Sequence, residues 1–283
     1  MTQQLYVPID ANGAQWWDST HRRWPLPEAA PGESVEGDLI LYTASGLLGR
    51  LDERIYKAEA AGEPPATSDH EGEVTAASAK LMAATSWDGF CAARFALDCA
   101  AHVAGEAAGA ALPDGTTLAE VLDRARAWLD QADESESGLG SRLRQLAICR
   151  RLRRSGKDLG DLAFSKVAAD IGADLDMLDD PEWTSIASAR DAILAAVEAV
   201  QHAVMPQVTE IQSRRYEHFV REGDAATAKT LTATRAHQAW VPYWTAADDS
   251  AERARQAAAD SGGADGAASE LAWQADLLAG ALG

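Results

Sequence analysis

The chain has 283 residues, enough for one large domain or two modest ones, and 44 acidic against 25 basic side chains give it a formal charge of −19. That balance argues against nucleic acid, whose phosphates call for clustered Lys and Arg, and no run approaches the ~18 uninterrupted apolar residues of a membrane-spanning helix. Three cysteines without CxxC spacing, and a Met1-Thr2-Gln3-Gln4 start with no basic segment and apolar run, point to a cytoplasmic protein without a disulfide framework.

Residues 1–37 differ from the rest. Leu5-Tyr6-Val7-Pro8-Ile9 and Ala14-Gln15-Trp16-Trp17 read as two short strands around Asn12-Gly13, a pair that supplies the positive φ of a tight hairpin. Trp16, Trp17 and Trp24 make this a Trp-rich extension, read either as a cover on a helical core or as an exposed recognition surface. From residue 38 onward heavy use of Ala, with Leu, Arg and Glu, favours helix, because Ala loses no side-chain entropy on helix formation.

A helix is expected over 38–61, ended by Gly62 and Pro64-Pro65, with a polar loop over 63–73 and a short helix over 74–85. Helices over 87–104 and 117–130 form a hairpin, the second opened by a Thr117/Glu120 capping box. After an acidic break at 133–140, helices are expected over 140–155, 158–172, 180–204, 206–221 and 224–239. Two more, over 242–260 and 266–282, are separated by Gly262-Gly263. The expected fold is therefore all-α: a multi-helix array over 38–283 as one domain, with a small N-terminal β-hairpin.

The 87–104 helix carries the most distinctive chemistry. Trp87, Cys91, Phe95 and Cys99 recur every four residues as a core stripe. Arg94, Asp98 and His102 form a polar stripe beside it, spaced for i,i+4 pairs worth only about 0.2–0.5 kcal/mol when exposed. The stripe reads as a surface ion network or as a polar surface that contacts a partner. Cys91 and His102 lie eleven residues apart, about 16 Å along one helix, too far for a nucleophile–base pair. Trp240, Tyr243 and Trp244 form a second aromatic cluster at a helix start, suited to helix packing or to a ligand pocket.

His21, His70, His202, His218 and His237 show no zinc-ligand spacing. There is no P-loop, dinucleotide fingerprint or GxSxG elbow, and the acidic run Asp174 to Asp180 lacks the glycine and terminal glutamate of a calcium loop. No catalytic residue, metal or cofactor is therefore expected. The basic run from Arg142 to Lys157 is read as a partner for neighbouring acidic helices, with an RNA or lipid contact as the alternative.

The segment 87–130 resembles a group of bacterial immunity proteins of polymorphic toxin systems. The resemblance rests on Arg94, Asp98, Cys99, Ala100, His102 and Val103 on one helix, and on Ala125, Arg126, Trp128 and Leu129 on the next. The C-terminal Glu270-Leu271-Ala272-Trp273-Gln274-Ala275-Asp276-Leu277-Leu278 is similar to the closing helix of such proteins. The resemblance implies a binding protein that neutralises a cognate protein toxin by direct contact. On that reading Arg94, Asp98, His102 and Trp128 shape the contact surface. Two alternatives stay open: a helical enzyme or small-molecule binder with a pocket at Trp240, Tyr243, Trp244 and Trp183, and a self-associating scaffold.

Overall fold

The computed structural model describes residues 4–10, 12–15, 23–61, 66–67, 72–105, 117–133, 188–189, 191–193, 195–200, 202–203 and 243–283. Five strands come first: β1 (Leu5–Ile9), β2 (Ser34–Tyr42), β3 (Arg54–Ala61), β4 (Ala66–Thr67) and β5 (Glu73–Ala84). A one-turn helix α1 (Ala44–Leu47) joins β2 to β3, and α2 (Gly89–His102), α3 (Leu118–Asp133) and α4 (Tyr243–Ala281) follow. Helical residues within 188–203 add a further buried wall through Ala189, Ala192, Ile193, Ala196, Val197 and Val200.

The fold is therefore mixed α and β, and the all-α expectation is corrected. Where helices were expected over 38–61 and 74–85, the chain forms β2, α1, β3 and β5. The cause is burial that follows a strand period. Val74, Ala76, Ala79 and Leu81 of β5 face Leu39 and Leu41 of β2 and Tyr56 and Ala58 of β3. Tertiary pairing outweighs the helix propensity of Ala, which is a bias of less than about 1 kcal/mol per residue. β1 forms as expected, and its turn closes through Asp10 N–H to Ala14 O (2.8 Å) with Gly13 at φ 81°. Its partners among the described residues are β2 and β3, while Trp16 and Trp17 of the expected second hairpin strand lie outside the described residues; β2 runs through the boundary expected between 37 and 38.

All pairings are antiparallel, and they close in a ring: β1 with β3, β3 with β5, β5 with β2, and β2 with β1 at Tyr6–Tyr42. Inside sit Leu5, Val7, Ile9 and Trp24 with the apolar residues of the other strands. The ring is packed by large side chains such as Trp24, Tyr56 and Leu41 together with the small Ala58, Ala76 and Ala79. Between Glu36 and Leu39 the β2–β5 register slips at Gly37, whose φ of 127° suits glycine. There the inward face of β5 changes from Val74 and Ala76 to Ala79 and Leu81.

A second core joins the outer face of this sheet to the helices. Tyr6, Tyr42 and Ile55 meet Leu47, Leu51, Trp87 and Phe95. Trp87 Nε1–H donates to Asp52 O (3.0 Å), Tyr243 O–H to Glu53 O (2.9 Å), and Thr85 O–H to Ile55 O (2.8 Å). These bonds bind the helices to the loop that leads into β3.

α4 is two helices. Gly263, at φ 64° and ψ −154°, breaks it, as the Gly262-Gly263 signal predicts. Gln274 Nε2–H donates to Ala251 O (3.0 Å) and Arg255 Nη1–H to Gln274 Oε1 (2.7 Å). Twenty-three residues of straight helix would put Ala251 and Gln274 about 34 Å apart, so the arms must run antiparallel. Ala246, Ala247, Ala251, Ala254 and Ala257 line the buried face of the first arm, letting its neighbours pack close.

Candidate functional site

The N-terminus of α2 is built by its cap. Asp88 Oδ1 accepts the N–H of Cys91 (2.8 Å), and Trp87, just outside, meets Phe95 edge-on at 6.2 Å. α3 opens on the expected capping box: Thr117 N–H donates to Glu120 Oε2 (3.0 Å), and Glu120 N–H to Thr117 Oγ1 (3.2 Å).

Each member of the predicted polar stripe reaches another helix. Arg94 pairs with Asp130 of α3 (3.3 Å). Asp98 accepts from Arg126 of α3 (2.9 Å), whose Nη2 also lies 3.3 Å from Leu97 O. His102 Nδ1 lies 2.6 Å from Glu270 Oε2 on the second arm of α4, and its ring stacks on Trp273 with centroids 3.8 Å apart. The stripe is thus brought together as a row of inter-helix clamps. Trp128 lies on α3, and its side chain is outside the described residues.

Glu270 is only 3% exposed, a carboxylate in the core. Such a group is tolerated only with its lone pairs used. Oε2 meets His102, and Oε1 accepts from Gln274 Nε2 (2.8 Å). With Arg255 and the Ala251 carbonyl, this network ties α2 and both arms of α4 together. Cys99, fully buried beside it, has its thiol pushed far up by desolvation, reinforced by the Glu270 charge.

The contacts 102–270 and 91–281 show that α2 and the second arm of α4 run antiparallel. Along the N-terminal half of α2 their seam opens into a groove of about 640 Å³. Its apolar surface comes from Phe90, Phe95 and Leu277, and its carboxylates from Asp88, Asp98 and Asp276. Arg94 also lines it, as does Cys91. Burial, with Asp88 adding to it, pushes the Cys91 thiol up to about 11, so at neutral pH it is a protonated thiol and a poor nucleophile. Sequence reasoning did not select Asp88, Phe90, Asp276 or Leu277. The sequence traces of this seam were Arg94 and Asp98 on α2 and the likeness of 270–278 to a closing helix.

Tyr243 and Trp244 stand elsewhere, at the start of α4. Their rings meet at 90° with centroids 4.8 Å apart, and both are half-buried against the helical core. The Tyr243 hydroxyl is committed to Glu53 O, and burial raises its pKa. They act as a packed corner. Trp240 and Trp183 lie outside the described residues, as do Cys149, the basic run 142–157 and the helices expected over 140–172 and 206–239.

Among the described residues no group of His, Cys, Asp and Glu is arranged to hold a metal ion. Among them, too, no helix is long and apolar enough to cross a membrane. No family model, no curated protein and no solved structure matches the chain.

Proposed function

We propose that the protein is an immunity-like binding protein that acts in the cytoplasm, neutralising a cognate protein toxin by direct contact. The observation that carries this reading is the groove between α2 and the second arm of α4. It offers an apolar surface bordered by carboxylates, a surface for recognition, and its cysteine is a protonated thiol. The resemblance of 87–130 and 270–278 to immunity proteins falls on the two helices that form it. An acidic protein of charge −19 suits a basic partner, since complementary fields speed encounter and penalise wrong partners.

The test is capture of stoichiometric partners on tagged protein from cytoplasm of its source. The partner is then expressed alone and together with this protein. Growth arrest by the partner alone, relieved by co-expression, is the expected result. A harmless partner, or none, overturns the reading.

A further inference from the structure

We infer that the groove takes a basic amphipathic helix of the partner, seated along the seam between α2 and the second arm of α4. This inference rests on the groove being the contact surface in the reading above.

Shape comes first. The groove follows α2 from Asp88 to Asp98, ten residues and about 15 Å of helix, beside the last turns of the antiparallel arm. Two antiparallel helices leave a linear seam, and an elongated segment fills such a seam as a third helix does in a bundle. Phe90 and Leu277 are partly buried, so each still presents apolar surface to an incoming side chain.

Charge decides the kind of helix. Arg94 is matched by Asp130, and Asp98 by Arg126. That leaves Asp88 and Asp276, both exposed, facing the groove without a cation paired to them among the described residues. A segment with a large apolar residue for Phe90 and Leu277, and Lys or Arg a turn away on its flanks, meets both needs. An acidic segment would meet two carboxylates with no cation paired to them among the described residues.

Gly280 supplies the decisive variant. It lines the groove, yet a Cβ built there meets no atom within 4 Å. Gly280→Leu therefore starts a bulky side chain from the groove wall at a point where its Cβ meets open space. Asp276→Lys reverses the charge at an exposed position, and Glu36→Lys makes the same charge change at an exposed position of β2.

The probes are three labelled 14-residue peptides. One has Leu at helical spacing with Lys elsewhere, one has the same composition scrambled, and one has Glu in place of Lys. Binding is followed by fluorescence anisotropy, with circular dichroism checking the fold of each variant. The Leu/Lys helix should bind about tenfold or more tightly than the other two. Gly280→Leu and Asp276→Lys should each weaken it about tenfold, and Glu36→Lys should leave it within about twofold. Equal binding of the scrambled or Glu peptide, equal binding by Gly280→Leu, or no binding of the Leu/Lys peptide overturns the inference.

The two readings fail separately. A toxin bound by the Gly280→Leu protein as tightly as by the unaltered protein overturns the seat in the groove and leaves the immunity-like function. Groove binding of the peptide, with a captured partner that is harmless, does the reverse.

Discussion

Asp248, on the first arm of α4, should make the stability of this protein fall between about pH 4 and pH 7. Its two carboxylate oxygens accept the N–H groups of Gly49 and Leu51, both at 3.0 Å, and so hold the α1–β3 loop on the helix. Burial nevertheless pushes its pKa from 3.8 to about 7, outweighing the lowering by those two bonds and by Arg255. The folded protein thus holds this proton more tightly than the unfolded chain. Its contribution is complete below about pH 4 and is lost as pH rises through about 7. A shift of about three units is about 4 kcal/mol at most, and the partial solvent contact of the side chain reduces this to about 2–4 kcal/mol. Asp248→Asn removes the titration but keeps one acceptor, leaving one loop N–H unpaired at a cost of about 1–2 kcal/mol. In urea unfolding, the variant should be the less stable protein at about pH 4 and equal or more stable at about pH 8. Asp52, which burial raises to about 6, weakens both proteins over a similar window and cancels in the difference. Parallel stability curves for the two proteins would show that the Asp248 carboxyl is not desolvated as the packing implies.

The α4 break gives a paired test: Gly263→Ala should cost about 1–3 kcal/mol, because φ 64° with ψ −154° is a region for glycine. Gly262→Ala, whose Cβ also meets open space, should be neutral or stabilise by up to about 1 kcal/mol, both read from urea midpoints. The Arg126–Asp98 pair is partly exposed, so a double-mutant cycle to Ala should return about 0.2–1 kcal/mol and shrink at high salt. Glu270→Leu, by contrast, strips a buried acceptor from both Gln274 and His102 and should cost about 2–4 kcal/mol in thermal or urea unfolding. In a Cys149→Ser background, Cys91 should react with iodoacetamide at pH 8 far more slowly than a free thiol, and Cys99 only on unfolding; rapid alkylation of either contradicts the burial described.

The helices were legible wherever a cap is local. Thr117 and Glu120 mark the start of α3, and Gly262-Gly263 marks the turn of α4 within a few residues. The strands were hidden by two features of the ring. First, β3 is buried on both faces, with Ile55 turned to the helical core and Tyr56 into the ring, so the alternation that announces a half-buried strand is lost. Second, the slip at Gly37 changes the inward parity of β5 halfway along, which makes Val74, Ala76, Ala79 and Leu81 read as a helical spacing. The alanines buried in the ring, Ala58, Ala76 and Ala79, are residues that composition assigns to helix.

The site was half legible for a related reason. Spacing identifies Arg94, Asp98 and His102 as neighbours on one face of α2, and the structure keeps them there. Their inter-helix partners, Asp130, Arg126 and Glu270, lie 36, 28 and 168 residues away, and no period in the sequence can express such pairs. Once those pairs are made, much of the polar character of the stripe is spent on holding α2 against α3 and α4. The recognising surface must then be sought where apolar area is open and carboxylates have no cation paired to them among the described residues. That condition is met one step around α2, where Asp88 and Phe90 face Asp276 and Leu277 across the seam. A substitution in the stripe and one in the seam should therefore differ in kind. Arg126→Ala lowers stability and, by leaving Asp98 of the groove without its cation, does not weaken the binding of a basic segment, whereas Gly280→Leu weakens binding while urea unfolding stays that of the unaltered protein or slightly firmer. If Arg126→Ala abolished partner binding with stability intact, the clamp itself would be the contact surface and the seam would not.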